Sequence, residues 1–341
     1  MDVGGPGVAV LSGLEGLGAL AQALGPSGAK FNLLFIEEPW VTASMPRKCD
    51  DALSGYYRVV RSGASDVTSE ARRLIDDCGV GQGRWGFSRA SLVSSLEAIK
   101  SSEKITVRRF LGFSFGSVRW SYLHGPDWLS SILVRPFPLG VPGDRIIAAR
   151  VTALEQDTVA PAAPRAAGVV VEGRSLPVTA FDLASARVQM SYLPPEQRDR
   201  VARLMSQGKG HKAAGQLSDR LWGRFGKERL APSMLAYLDE VCQASSWPAS
   251  RVGVSPGSVL AALTAPCRWV PGVRPDREPT LRPPEVGRLC VVVGDSDPVV
   301  PGALMEQELT PLPDRTTLLK VPERDHTAVS GLQECLERTG T

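Results

Sequence analysis

The chain has 341 residues, of which 43% are hydrophobic and 22% are charged, and its formal net charge is +3. A chain of this length builds either one large domain with an insertion or two domains. The basic residues are scattered along the sequence, which gives no indication of a nucleic-acid partner. No apolar run reaches the roughly 18 residues that a membrane helix needs, so no membrane contact is expected.

The N-terminus and the cysteines bear on the cellular compartment. The opening residues, MDVGGPGVAVLSG, contain no basic segment followed by a long apolar one, so no signal peptide is predicted and a cytoplasmic location is expected. No cysteine belongs to a C-x-x-C pair, and the spacings do not match a zinc site. We therefore expect buried free thiols, no metal and no cofactor. The cysteines are Cys49, Cys78, Cys242, Cys267, Cys290 and Cys335.

The first forty residues predict a strand, a helix and a second strand. Residues 8–11 and 31–36 form short apolar runs, and residues 14–24 carry leucines at helical spacing. The two runs are continuous rather than alternating, which is typical of strands that are covered on both faces in a parallel sheet.

Strands and helices alternate again further along the chain. Helical spacing of apolar residues predicts helices over residues 68–78 and 90–100, with a loop over 81–86 between them. A strand over residues 105–113, a helix over 117–124 and a strand over 131–135 follow. This alternation predicts crossover units on a mostly parallel central sheet with helices on both faces.

The middle of the chain breaks this pattern. Residues 151–285 contain Pro- and Ala-rich connections and helical stretches over 194–205, 212–225 and 232–242, and they end in a Pro- and Arg-rich segment. The sheet pattern returns with predicted strands over 289–293 and 317–321 and helices over 304–309 and 328–338. We therefore predict a core of residues 1–150 and 286–341, with residues 151–285 inserted as a largely helical cap.

A serine between two glycines marks a candidate nucleophile. Gly112-x-Ser114-x-Gly116 stands between a predicted strand and a predicted helix. Small residues are needed on either side of such a serine, because side chains there collide with the strand and the helix. A lone G-x-S-x-G is common, and its setting between strand and helix is what makes it informative.

Two further residues follow later strands. Asp297 stands in Gly294-Asp295-Ser296-Asp297, directly after the apolar run LCVVV, and His326 follows the last predicted strand. Groups just beyond the carboxyl ends of parallel strands face a common crevice. The chain order serine, aspartate, histidine is the order that acyl hydrolases with a nucleophile elbow use.

These segments resemble the α/β-hydrolase family: GFSFGS resembles its nucleophile elbow, GDSDPVVP its acid loop and PERDHTAV its histidine loop. The resemblance covers about residues 7–140 and 286–340. Within the family, GFSFG together with SGLEGLGALAQAL is similar to thioesterase domains that release acyl chains from carrier proteins. The resemblance implies the α/β-hydrolase fold and a serine hydrolase that acts on a small acyl ester or thioester, either free or carrier-bound.

The implied mechanism assigns a role to each residue. Ser114 forms an acyl-enzyme, His326 acts as the general base, and Asp297 orients the imidazole. Backbone N–H groups of Phe115 and of Leu14, in the loop after the first predicted strand, would bind the oxyanion.

Several alternatives stay open at the level of sequence. Asp144 and Asp295 are rival acids, and His124 and His211 are the other two histidines. Departures from the family pattern, namely Ser12-Gly13 where many members have His-Gly and an Arg108-Arg109 pair at the start of the strand before Ser114, fit a catalytically silent scaffold for binding, structure or particle assembly. A haloperoxidase-like or lyase-like member of the same superfamily is a third hypothesis.

Overall fold

In the computed structural model the described residues are 1–10, 18, 24–28, 31–64, 66–123, 128–156, 168–225, 229–247, 253–272, 287–310 and 314–340. Their main sheet has four parallel strands in the order β1-β2-β5-β6. The strands of this sheet are β1 (Arg109–Phe113), β2 (Ser130–Val134), β5 (Arg288–Gly294) and β6 (Thr316–Val321). A two-stranded antiparallel ribbon consists of β3 (Arg224–Phe225) and β4 (Arg229–Leu230).

Helices flank the sheet and fill the interval between β2 and β5. In chain order they are α1 (Gly25–Gly28), α2 (Arg47–Arg61), α3 (Thr68–Cys78), α4 (Arg89–Glu103), α5 (Gly116–Leu123), α6 (Gly143–Gln156), α7 (Ala180–Met190), α8 (Pro195–Ser206), α9 (His211–Leu221), α10 (Ser233–Ala244), α11 (Pro256–Thr264), α12 (Gly302–Glu308) and α13 (Leu332–Arg338). No helix of the described residues is long and apolar enough to cross a membrane.

The two central strands of the sheet are covered on both faces. Leu133 and Val293 point to one side, where they pack with residues of α5 and α12. Val134 and Val292 point to the other side, where they pack with α13. The continuous apolar runs of β2 and β5 are explained by this double burial. The predicted α/β class, with a parallel sheet and helices on both faces, is confirmed.

The strand before Ser114 begins to be buried where the sequence predicts. Arg108 is exposed and Arg109 is partly exposed, whereas the Phe110 side chain is 6% exposed. Arg108 is therefore exposed at the start of β1, and the partly exposed Arg109 places its guanidinium 5.0 Å from the centre of the Phe31 ring.

The predictions for the first forty residues are largely wrong where the structure describes them. Residues 8–10 and 31–36 form no strand, and most of the predicted helix over 14–24 lies outside the described residues. The position beside β1 is taken instead by Asp2, whose N–H donates to Leu111 O and whose C=O accepts from Phe113 N–H. An apolar run makes a strand only where a sheet edge is free to pair with it, and this edge is occupied.

The prediction of free thiols is also wrong. The six cysteines form three disulfides, Cys49–Cys78, Cys242–Cys267 and Cys290–Cys335, and the structure contains no free cysteine. Each bond joins two elements: α2 to α3, α10 to the short 3₁₀ helix after α11, and β5 to α13. Sequence spacing cannot reveal such pairs, because the partners meet only after the elements pack.

The interval between β2 and β5 is helical, as predicted. Three of its helices match the predicted stretches, namely α8, α9 and α10, whereas α6 and α7 were not assigned from the sequence. A buried ionic cluster ties α7 to α2: Asp182 accepts from Arg61 and Arg174. Burial alone would raise the pKa of Asp182, but the hydrogen bonds and charges of the two arginines bring it to about 2. That this interval forms a separate cap stays a prediction.

Candidate active site

Ser114 stands on a sharp turn between β1 and α5. Its φ is 48°, a left-handed value that is uncommon for a residue with a side chain. The turn is held in place by the neighbouring strand end, since Ser114 N–H donates to Val134 O at 3.0 Å and Ser114 O accepts from Phe137 N–H at 2.9 Å. This strained conformation is held by surrounding structure, as is typical of functional turns.

The two glycines of the motif lie against neighbouring side chains. A Cβ on Gly112 would lie 2.5 Å from the ring of Phe110, and a Cβ on Gly116 would lie 3.1–3.3 Å from the side chain of Asp2. A larger residue at Gly112 would have to displace the Phe110 ring, and one at Gly116 would need the Asp2 side chain to shift, so both contacts favour glycine.

The structure brings Ser114, His326 and Asp297 together. His326 Nε2 lies 3.0 Å from Ser114 Oγ, and His326 Nδ1 lies 2.7 Å from Asp297 Oδ2. The Asp297 side chain is fully buried and that of His326 is 7% exposed. The carboxylate holds the imidazole so that the other ring nitrogen faces the serine.

Asp297 is fixed by its own loop. Its second oxygen, Oδ1, accepts from Val299 N–H at 2.8 Å and from Val300 N–H at 3.1 Å. Because these donors occupy Oδ1, only Oδ2 is left to face the imidazole.

The rival acids and histidines lie elsewhere or outside the described residues. Asp144 is exposed in the first turn of α6, and Asp295 is exposed two residues before Asp297. His211 begins α9, and His124 lies outside the described residues. Of the described candidates, Asp297 is the acid that contacts His326, and His326 is the histidine that contacts Ser114.

The structure combines a parallel sheet with a serine on a strand-turn-helix elbow. An acid and a histidine follow two later strands of this sheet and form a hydrogen-bonded chain with the serine. The chain has the α/β-hydrolase fold. No family model matches the sequence, and no curated protein does either.

Solved structures that resemble this chain are esterases and hydrolases. A thermophilic esterase from Thermogutta terrifontis, solved with malate bound, has a TM-score of 0.35 and 13% identity, over 75% of this chain and 74% of its own. Esterase E22 has a TM-score of 0.38 and 13% identity, over 76% and 68%. An esterase from Exiguobacterium antarcticum has a TM-score of 0.31 and 14% identity, over 75% and 72%. The TM-scores and sequence identities are low, and the activities and substrates of these proteins are not assigned to this chain.

Arg135 contacts both ends of the loop that carries His326. Its backbone has φ 48°, its side chain is 1% exposed, and its Nε donates to Ala328 O at 3.1 Å. Its Nη2 donates to Glu323 Oε2 at 2.8 Å. Since Glu323 and Ala328 bracket His326 in the chain, Arg135 fixes both ends of the loop that carries the imidazole. Sequence reasoning missed this residue, because an arginine after a strand has no distinguishing pattern.

A glycine loop at the N-terminus approaches the serine. A Cβ on Gly4 would lie 2.7 Å from Phe113 O and 3.1 Å from Ser114 Cβ, so only glycine fits there. Gly4 N–H donates to Asp2 Oδ1, and Gly7 N–H donates to Glu38 Oε2. Leu14, the predicted oxyanion donor, lies outside the described residues. The run Gly4-Gly5-Pro6-Gly7 is the sequence feature that could have indicated this loop, but no role was predicted for it.

A buried charge network lies behind the elbow. Arg119, on α5, is 2% exposed and forms ion pairs with Asp2, Glu38 and Glu240 at 3.2, 2.6 and 2.8 Å. Burial raises the pKa of Glu240 to about 7, although the charge and hydrogen bonds of Arg119 act against that rise, and burial raises the pKa of Glu38 in the same direction. Three carboxylates share one guanidinium, which links the N-terminal residue Asp2, the loop residue Glu38, α5 and α10.

Two cavities differ in their relation to the site. The larger, about 740 Å³, is lined by residues at the start of β1 and by α4 and includes neither Ser114 nor His326. The smaller, about 270 Å³, is lined by Asp297 and Arg324 together with residues of α6, and it too includes neither Ser114 nor His326. Of the two cavities, the smaller is the one that lies beside the acid of the site. Within the described ranges, no cluster of His, Cys, Asp and Glu of the kind that holds a metal ion is found.

Proposed function

We propose that this protein is a serine hydrolase that cleaves an ester or thioester through an acyl-enzyme on Ser114. The observation that carries the proposal is the hydrogen-bonded chain from Ser114 Oγ through His326 to Asp297, at 3.0 and 2.7 Å. Such a chain makes a hydroxyl nucleophilic at neutral pH, because the imidazole accepts its proton as the bond to carbon forms.

The reaction proceeds in two halves. Ser114 Oγ attacks the acyl carbon while its proton passes to His326 Nε2, and the resulting imidazolium is stabilised by Asp297. The tetrahedral intermediate then expels the alcohol or thiol, which takes the proton from His326. In the second half a water molecule repeats the sequence on the acyl-enzyme, and the acid and free Ser114 are released.

The oxyanion requires two donors. The N–H of Phe115 follows the nucleophile directly and serves as the first. For the second we propose the N–H of Gly5, because the adjoining Gly4 packs against Ser114 while the N–H of Gly4 is bound to Asp2. The donor expected from the sequence, Leu14, lies outside the described residues. Removal of one such donor typically costs about 10²–10³ in rate.

The proposed substrate is a small acyl ester or thioester, free or carrier-bound, because these are the compounds that an activated serine beyond the carboxyl ends of the strands would cleave. The helical interval over residues 151–285 acts as a lid in this proposal, since Tyr192, two residues beyond α7, lies against the ring of His326.

The compartment is proposed from the cysteines. Three disulfides that each join packed elements are typical of proteins that mature in an oxidising environment. This favours an oxidising compartment over the cytoplasmic location that the sequence suggests. Alkylation of the purified native protein under denaturing conditions, followed by mass spectrometry, tests it, and six alkylated cysteines would refute it.

Active-site labelling tests the hydrolase. A fluorophosphonate probe should label the wild type but neither Ser114→Ala nor His326→Ala, whereas Ser296→Ala, an exposed serine beside Asp297, should label normally. Absence of labelling in folded wild-type protein would refute the enzyme and support the catalytically silent scaffold instead. Ester and thioester panels then distinguish hydrolysis from haloperoxidase-like or lyase-like chemistry.

A further inference from the structure

Arg150 is a buried arginine without an acidic partner among the described residues. It lies on the inward face of α6, beside the buried Ile146 and Leu154, and is 9% exposed. Its Nη2 donates to Tyr192 Oη at 3.2 Å, and its Nε makes no hydrogen bond to the described residues. Of the other buried arginines, Arg119, Arg135 and Arg224 each pair with at least one carboxylate.

An unpaired buried guanidinium is costly. Removal of a charge from water is compensated only where an opposite charge or a full set of hydrogen bonds replaces the water. Arg150 has one hydrogen bond to the phenol oxygen of Tyr192 and lies with its Cζ 5.8 Å from the centroid of the same ring. These two contacts replace only part of the hydration that the guanidinium loses on burial. An anion that arrives with a ligand would supply the rest.

The position of Arg150 relates it to the reaction. The ring of Tyr192 is edge-on to the ring of His326, also at a centroid distance of 5.8 Å, so one aromatic ring separates the guanidinium from the catalytic imidazole. His326 must hand its proton to the leaving alcohol or thiol, so the space beside the imidazole is leaving-group space. Tyr237, on α10, interacts electrostatically with both Tyr192 and Arg150, and burial raises the pKa of its phenol, which therefore keeps its proton.

We propose that Arg150, with Tyr192 beside it, binds a carboxylate on the leaving group, so that the preferred substrate is an ester or thioester of a carboxylate-bearing alcohol or thiol. The planar guanidinium matches a carboxylate with two parallel hydrogen bonds, which a lysine cannot reproduce. The inference rests on the proposed function, because it needs Ser114 to be acylated. It adds the charge of the substrate, which the triad alone does not define.

A matched pair of esters tests the inference. The butyrate ester of 4-hydroxybenzoate and that of its methyl ester differ in the charge at the far end of the leaving group. For the wild type and Arg150→Met, kcat/KM is measured with both. We expect Arg150→Met to reduce the ratio of anionic to neutral kcat/KM about tenfold or more, with the neutral ester little changed, and Arg150→Lys to lie between. Arg145→Met, an exposed arginine on the same helix, should leave the ratio unchanged.

The outcomes separate the two proposals. An equal loss for both esters in Arg150→Met would mean that the arginine only positions Tyr192 and His326, and it would overturn the carboxylate site. An unchanged ratio in Arg150→Met and Arg150→Lys, with both variants folded by circular dichroism, would overturn it as well. If neither ester is cleaved and fluorophosphonate does not label Ser114, the hydrolase proposal itself fails and the leaving-group site fails with it.

Discussion

The buried acid Glu240 should make the protein less stable as pH rises from about 4.5 to about 7. Its carboxylate is 1% exposed and pairs with Arg119, which Asp2 and Glu38 also share. Burial raises its pKa from 4.5 to about 7. Between these two values the native state holds a proton that the unfolded chain has lost, so each rise in pH favours the unfolded chain.

The magnitude follows from the size of that rise. A pKa displaced from 4.5 to about 7 corresponds to about 3 kcal/mol of unfolding free energy, present in full below pH 4.5 and lost above pH 7. Glu38 and Asp239, whose pKa values burial also raises, act in the same direction, so the wild-type curve alone overstates the contribution of Glu240. The difference between wild type and Glu240→Gln isolates it, together with its coupling to Glu38.

The assay is urea unfolding of both proteins at several pH values across this window. The free energy of unfolding of the wild type minus that of Glu240→Gln should decrease by about 3 kcal/mol as the pH rises from about 4.5 to about 7. Glu97→Gln, on an exposed face of α4, serves as the control and should track the wild type within about 0.5 kcal/mol at every pH. A difference that is the same at all pH values would refute the reasoning, since Glu240 would then titrate alike in both states.

Three further predictions concern the site and its supports. Asp297→Asn should lower kcat for ester hydrolysis by about 10⁴-fold, because the imidazole of His326 is then held in the wrong tautomer. Asp295→Asn, at an exposed position two residues away, should leave kcat unchanged. Comparable losses in the two variants would reject Asp297 as the acid. Arg135→Met should lower kcat by about 10²-fold at nearly unchanged KM, because the loop of His326 loses its fixed position; a KM effect alone would contradict this. Replacement of both Cys290 and Cys335 by Ala should cost about 2–4 kcal/mol in denaturant unfolding, and an unchanged midpoint would argue against the bond.

The sequence was informative wherever local pattern is enough. The elbow around Ser114 is a local structure, since glycine spacing and a strand-helix switch determine it within a few residues. The apolar runs of β2 and β5 are so continuous that only double burial explains them, and this predicts a parallel sheet. Asp297 and His326 follow because parallel strands all end at one edge of a sheet, so residues far apart in sequence meet there.

Tertiary structure decided what depends on distant partners. The place beside β1 belongs to Asp2 and not to residues 31–36, because pairing is a competition for one edge that no local pattern records. Only the packed chain shows that Asp297 lies 2.7 Å from His326, whereas Asp144 is exposed in the first turn of α6.

The sequence by itself determined the class of fold, the sharp turn at Ser114 and the chain order of the three residues that meet there, because these depend on periodicity and on short-range sterics. Only the tertiary structure decided the three disulfides, the charge network around Arg119 and the uncompensated Arg150 beside Tyr192. A sulfur, a carboxylate or a guanidinium finds its partner, or lacks one, only once elements distant in the chain have packed and removed the water between them.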